Sequence, residues 1–526
     1  MNGENRQRRP ASRAALIAHP SSLTLAFFSG ALAVLGFAPF HIAVAPFACL
    51  ALLFWQWSRA ASAKAAFKIG WVFGLGFFLA GVSWIYVSLN TFGAMPMPLA
   101  ALATFLFCAF LALFPALAGW GVARCGGTVL TRLLLSAPAL WVLAEWLRSW
   151  IFTGFPWNSI GYSQIAASPL AGFAPVLGIY GVSLAVTLIA GGIAFIALRW
   201  RLAQSVHGVS AALIVSLAAA GYALQHIAWT TPTGAAATVS LLQGNVEQDM
   251  KWREDQLHAT LNTYADLVMQ SRAQLIVLPE TALPLFLHQV PPQYLQALAE
   301  HAKKNNGDVL IGVPEIQGDP REGRYYNSVA SVGSAPMQYY RKSHLVPFGE
   351  FIPLRPLLAW IVNILAIPLQ DFSRGGIDQQ PLSVAGQRVA VNICYEDVFG
   401  AEIIRQLPQA TMLVNVSNVA WFGRSIAPAQ HLQISQARAL ETGRYMLRAT
   451  NTGMTAVIDQ RGRVLKAAPQ FTQAVVEHEV PGYQGTTPYV RWGNSVALAL
   501  LALMLLAALR APFAKVWQRG TNSENL

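Results

Sequence analysis

The chain has 526 residues, 54% of them hydrophobic and only 11% charged, with a mean hydropathy of +0.42. That balance excludes an ordinary soluble enzyme and places much of the chain in lipid. A formal net charge of +12 would suit a nucleic-acid partner, but the basic residues stand in short clusters between apolar runs, the pattern of membrane topology rather than of nucleic-acid binding.

In chain order, apolar segments at about 24–39, 42–57, 69–88, 98–122, 133–151, 170–198, 209–227 and 493–510 predict about eight spans, most near the ~20 residues a bilayer core requires. The first two are short and joined by Phe37-Ala-Pro-Phe-His41, so they are expected to be tilted, shallow, or a helical hairpin that does not fully cross. Arg6, Arg8, Arg9 and Arg13 precede the first span. Arg59, Lys64 and Lys68 follow the second, Arg124 and Arg132 follow the fourth, and Arg199 and Arg201 follow the sixth. Arg510, Lys515 and Arg519 end the series on the same face, which predicts cytoplasmic termini. The basic N-terminus also has the layout of a signal peptide, but the later spans make cleavage unnecessary. The expected organisation is a basic N-terminus (1–23), a seven-span membrane domain (24–230), a polar domain on the far side (231–486), an eighth span (487–512) and a cytoplasmic tail (513–526).

From about 235 to 485 short β-rich runs alternate with amphipathic helices: TVSLLQGNV, a helix over about 251–272, AQLIVLPE, a helix over about 291–305, and GDVLIGVPE. Further strands are expected in YNSVASVG, MQYYRKSHLV, QRVAVNICYE, TMLVNVSN and TAVIDQRGRVL. Strands alternating with helices imply an α/β layered domain. Several strands end in polar residues, Glu280, Cys394, Asn415 and Ser417, and open α/β sheets gather ligands at the carboxyl ends of their strands.

Cys394 reads either as a small buried hydrophobe or as a nucleophile. Cys49, Cys108 and Cys125 lie in or near spans, so a thiol in an exported domain has no obvious disulfide partner. Its neighbours Glu396 and Asp397 should raise its pKa, so a reactive thiol needs an activator. Lys342, in YYRKSHLVPFGE, is either a solvated strand-end lysine or that activator, lowering the thiol pKa and stabilising an oxyanion. Glu280, in VLPETALP, is either a helix cap or a general base. His344 competes for the base role in a Cys-His arrangement. The sequence contains no CxxC, HExxH, Walker A loop or GxGxxG after a strand, so no metal or cofactor is expected.

VLPETALP, YRKSHLVPFGE and VNICYED, in that order, resemble the Glu, Lys and Cys motifs of the nitrilase superfamily, whose domain is an αββα sandwich. Such a domain between the seventh and eighth spans, with GFPWNSIGYSQ at 154–164 in an outward loop, is similar to the bacterial apolipoprotein N-acyltransferase family. The resemblance implies inner-membrane residence with a periplasmic sandwich, and acyl transfer from a phospholipid to the amine of a diacylglyceryl-cysteine on a lipoprotein. It assigns Glu280 as base, Lys342 as oxyanion cation and Cys394 as nucleophile, with Glu350, Tyr395 and Glu396 in support. Trp157, Trp252, Asn418 and Trp421 are the candidate substrate-binding residues, although Trp157 reads equally as an interfacial anchor. Segments 91–99 and 357–369 are candidates for embracing acyl chains, the second equally a plain buried helix. The family usually reads Ser-Asn-Asp before Trp-Phe-Gly, whereas this chain has Ser417, Asn418, Val419 and Ala420. A membrane-anchored amidase or hydrolase and a non-catalytic lipid-binding scaffold are the competing readings.

Overall fold

The computed structural model describes residues 20–166, 168–198, 204–318, 323–353 and 371–521. Arg6, Arg8, Arg9, Arg13, Arg199, Arg201 and the segment 357–369 lie outside the described residues, as do the side chains of Lys515 and Arg519. The first part of the chain is a bundle of apolar helices: α1 (Pro20–Ala33), α2 (Ala45–Arg59), α3 (Ala63–Val82), α4 (Met97–Arg124), α5 (Val129–Arg148), α6 (Ala174–Leu198) and α7 (Gln204–Gln225).

Five described helices are long and apolar enough to cross a bilayer: α3, α4, α5, α6 with its lead-in from Pro169, and the Gly208–Gln225 part of α7. The expected eight is therefore not reached by length alone. At a rise of ~1.5 Å per residue, the 14 residues of α1 and 15 of α2 fall short of a ~30 Å hydrocarbon core. The chain between them turns at Phe37–His41 and α2 packs back along α1, as a hairpin would. Small residues let the helices approach closely: a methyl group at Gly30 or Gly76 would strike the facing backbone of α3 or α1.

The polar domain contains β1 (Thr230–Gln243), α8 (Glu254–Gln270), β2 (Leu275–Val277), α9 (Pro292–Lys304), β3 (Asp308–Gln317), β4 (Arg324–Gly333) and β5 (Tyr339–Arg341). After these come β6 (Leu382–Val384), β7 (Gln387–Ile393), β8 (Met412–Ser417), α10 (Ala427–Thr442), β9 (Met446–Thr450), β10 (Ala456–Ile458), β11 (Val464–Ala467) and β12 (Ala474–Gly485). Two six-stranded sheets result, ordered β12-β1-β2-β3-β4-β5 and β11-β10-β9-β8-β7-β6. Each has a parallel centre, β1-β2-β3 in one and β7-β8-β9 in the other, flanked by antiparallel strands. Alternation along the strands explains the stacking. Val239, Leu241, Val277 and Leu310 of the first sheet meet Val389, Val391, Val414 and Leu447 of the second in one dry core. The intervening residues Leu242, Ile276, Val309 and Ile311 turn outward to cover α8 and α9. The expected αββα sandwich is the observed architecture.

Helix α10 covers the outer face of the second sheet through Leu432 and Ala439, and presents Ile434, Ala437 and Leu440 to the membrane bundle. All 16 of its residues are buried, although its sequence is rich in Gln, Ser, Arg and Glu. Several of those polar groups are paired across the junction. Gln430 accepts from the indoles of Trp84 and Trp157 at 3.2 and 2.8 Å, Gln433 accepts from the Ala38 amide at 3.0 Å, and Glu441 accepts from the Ile179 amide at 2.8 Å. That last amide is presented by a break at Gly178, whose φ of +67° suits glycine and where a side chain would strike Tyr489. A final helix, α11 (Ser495–Thr521), leaves the sandwich; its apolar part, Ser495–Arg510, is shorter than a full span.

Candidate active site

Cys394 directly follows β7 and begins a tight helical turn through Val398. Its φ is +52°, a conformation a side-chain-bearing residue adopts only where the surroundings impose it. The turn is imposed by Glu396, whose carboxylate reaches back to accept the Ile393 amide at 2.7 Å. The same carboxylate accepts the Ser343 amide at 2.7 Å, the His344 amide at 3.1 Å, the Ser343 hydroxyl at 2.9 Å and the Tyr340 hydroxyl at 3.0 Å. Glu396 thus binds the Cys394 turn to the segment that carries Lys342, and is spent as an acceptor.

Lys342 follows β5 and is 1% exposed. Its ammonium donates to Glu350 at 2.9 Å and to Glu280 at 3.4 Å. Asn327, on the adjacent strand β4, donates one amide group to both carboxylates at 2.8 Å each and fixes their separation. Glu280, beyond the end of β2, also accepts the Asn418 amide at 2.8 Å. Burial alone would raise its pKa, but Lys342, Asn327 and the Asn418 amide outweigh burial and hold the carboxyl below its usual value. Conversely, burial works against the Lys342 charge, and Glu350 and Glu280 overcome it, pushing that pKa up.

The Cys394 thiol departs from expectation. Lys342 does favour its thiolate, but burial, followed by the Glu280 charge, prevails and pushes the thiol pKa up. Burial and the Glu280 charge therefore favour the neutral thiol over the thiolate at Cys394. The Cys-His reading has no geometric basis: His344 stacks on Phe399 with ring centres 3.7 Å apart and places Nδ1 3.1 Å from Glu402. Asp397, the second carboxylate behind the cysteine, pairs with His431 at 2.7 Å, Ser435 at 2.6 Å and Arg448 at 3.4 Å.

The remaining sequence candidates divide. Asn418 reaches Glu280 through its backbone amide, and its side chain donates to Gln248 at 2.7 Å. The neighbouring Val419 is buried in a short turn. Tyr395 is directed to the junction, where its hydroxyl donates to the Gly154 carbonyl at 2.9 Å. Trp157 is 2% exposed and packed between Trp84 and His431, a bridge between the two parts rather than an interfacial anchor. Trp421 is half-buried, edge-on to Phe92 in segment 91–99, and its carbonyl accepts from Ser88 at 2.7 Å. Trp252 is half-buried in the turn before α8.

Sequence reasoning did not find Asn327, Lys251, Gln248 or His431. Asn327 had a signal, a polar residue among the consecutively buried positions of β4. The turn that holds Gln248 and Lys251 had none, since polar residues are normal in turns. Among the described residues no three His, Cys, Asp or Glu side chains cluster to hold a metal ion.

The sequence model of the apolipoprotein N-acyltransferase N-terminal domain matches residues 29–192, and that of the carbon-nitrogen hydrolases matches residues 238–489. An apolipoprotein N-acyltransferase of Nitrosomonas europaea is 55% identical over 495 residues, covering 93% of this chain and 97% of the relative. Relatives of the same name from Chromobacterium violaceum and Methylococcus capsulatus are each 46% identical, covering 93% and 91% of this chain and 93% and 94% of their own. A carbon-nitrogen hydrolase sandwich docked on a bundle of apolar helices, matched over nearly its full length, makes this chain a member of the apolipoprotein N-acyltransferase family.

Proposed function

We propose that the chain moves an acyl group from a phospholipid to the α-amine of a lipoprotein's diacylglyceryl-cysteine, through a thioester on Cys394. The observation that carries this reading is a buried ion cluster tied to the Cys394 turn: Glu280 lies 3.4 Å from Lys342, and Glu396 fastens the turn that carries Cys394 to the segment that carries Lys342. Sulfur attacks the ester carbonyl while its proton passes to Glu280, and the oxyanion forms beside Lys342. Collapse expels the lysophospholipid, whose oxygen takes the proton back. The lipoprotein amine then loses a proton to Glu280, attacks the thioester and leaves as an amide, returning the thiol.

The ester supplies the activation, so the reaction needs neither ATP nor coenzyme A. The apolar helices hold the site at the bilayer surface, where both lipid substrates reside. Positive loops on one face support an inner-membrane protein with cytoplasmic termini and a periplasmic sandwich.

Intact-mass measurement after incubation with phospholipid tests the reading. An acyl-sized gain, removable by hydroxylamine and lost in Cys394→Ala, is expected; an unmodified Cys394 with activity surviving its replacement overturns it. Adding a diacylated lipopeptide should place the acyl group on its amine, whereas release as free fatty acid would mark a hydrolase.

A further inference from the structure

Lys251 sits in the turn between β1 and α8, yet it is only 3% exposed. Its ammonium donates to the backbone carbonyl of Glu280 at 3.2 Å, its one hydrogen bond among the described residues. No carboxylate lies within ion-pair range of it there, so two of its three N–H groups are uncommitted. The turn is fastened over the site. Asn451 pairs with both the amide and the carbonyl of Val246 at 2.9 and 2.7 Å, and Gln248 accepts from Asn418, whose own amide binds Glu280.

The titratable groups that act on Lys251 are Glu280, beyond β2, and Cys394, beyond β7. Glu247 and Asp249, on its own turn, are exposed to solvent. Counting charge, Glu280 and Glu350 surround Lys342 and leave the cluster one negative charge in excess; Lys251 brings it to neutrality. Two of the three N–H groups of Lys342 are engaged by carboxylates, so Lys251 is the cation with more free donors. A buried ammonium without an ion-pair partner is costly and persists where its charge is used.

We propose that Lys251 is a second catalytic cation, which donates to the oxyanion formed when Cys394 attacks the acyl donor. This rests on the thioester reading above. Lys251 keeps its proton throughout: the thiol proton goes to Glu280, the C–S bond forms, and the carbonyl electron pair rests on oxygen beside both ammonium groups before it expels the alkoxide. Burial pushes the Lys251 pKa down to about 8, against the opposing pull of Glu280 and Cys394, so the assistance is present at neutral pH and fades above it.

The test is the single-turnover rate of thioester formation with phosphatidylethanolamine vesicles, from pH 6 to 10, for the full-length wild type, Lys251→Met and Lys251→Arg. The wild type is expected to lose rate as pH rises through about 8. Lys251→Met should form thioester about 100-fold more slowly at pH 7 and show no such alkaline fall. Lys251→Arg, permanently charged, should keep its rate to higher pH, which decides the matter even if the methionine variant does not fold. A methionine variant as fast as wild type, or an arginine variant with the wild-type alkaline fall, would overturn the assignment. Absence of any thioester in the wild type would instead remove the thioester reading itself.

Discussion

Two buried charge networks meet at the turn that carries Cys394, and they are built differently. On the catalytic side, Glu280, Glu350 and Lys342 share their contacts through Asn327, while Lys251 stands beside them with no carboxylate of its own. On the junction side, every one of these charges has an opposite partner: Asp397 with Arg448 at 3.4 Å, beside a hydrogen bond with His431, and Arg438 with Glu441 at 2.9 Å. Closed pairs of this kind fix geometry, because breaking one strands a buried charge. The open network leaves donors pointed where charge can develop, and pays for that in stability. The difference teaches where to look for chemistry in a buried charge cluster: at the cation left without a carboxylate of its own.

Replacing Cys394, the proposed nucleophile, separates the networks most sharply. Cys394→Ala should lower acyl transfer by on the order of 10^4-fold or more, while thermal unfolding of the detergent-solubilised protein stays near the wild type, since no charged pair is touched. A large loss of stability in that variant would mean the thiol is part of the closed scaffold.

Next in size are two matched charge removals. Lys342→Met leaves Glu280 and Glu350 facing each other without their cation, and Arg438→Met leaves Glu441 buried alone; each should cost about 3–5 kcal/mol in denaturant unfolding. Their effects on catalysis should differ. Thioester formation per folded molecule should fall at least about 100-fold in Lys342→Met and stay within a few-fold of wild type in Arg438→Met. Equal losses in the two variants would erase the distinction between an open and a closed network.

Acid provides a smaller, graded probe of the closed side. Burial opposes the Asp397 charge, but His431, Arg448 and Ser435 outweigh it and hold the carboxyl below its ordinary value. Its stabilisation is therefore present above the usual carboxylate range and lost as pH falls through the folded value. Burial, reinforced by Arg448, holds the His431 imidazole below 6.5 despite Asp397, so the unfolded chain binds the extra proton first. Stability should begin to fall below pH 6.5 and continue falling as Asp397 protonates. In His431→Gln the upper part of that slope should vanish and the lower part remain, as read from melting temperatures between pH 4 and 8.

The two networks were also unequally legible in the sequence. The strand-end positions of Glu280 and Cys394 follow from short apolar runs that end in a polar residue at the carboxyl ends of buried strands, and Lys342 from the polar run after β5. Such endings mark a site whatever the fold. Helix α10 was invisible for the opposite reason. Its polar residues predict a solvent-facing surface, and only the docking of the bundle turns Gln430, Gln433 and Glu441 into buried partners of Trp84, Ala38 and Ile179. Lys251 was hidden because turn sequences are polar by default and its burial depends on Asn451, about two hundred positions downstream. The thiol pKa was misjudged because charge sequence is visible and burial is not: Lys342 was weighed, and the enclosure that outweighs it was not.

The smallest expected effect tests whether the junction is a seam of many weak bonds. Trp157 donates its indole N–H to Gln430 at 2.8 Å and packs its ring against Trp84 and His431. Trp157→Phe keeps most of the packing and removes one donor, and Gln430 still accepts from Trp84. The cost should be about 1 kcal/mol, a small drop in melting temperature with thioester formation unchanged. A catalytic loss without a stability loss would instead assign Trp157 to the substrate path. That would make the seam and the site continuous through Tyr395, whose hydroxyl already reaches Gly154 on the same loop while its neighbour in sequence is the nucleophile.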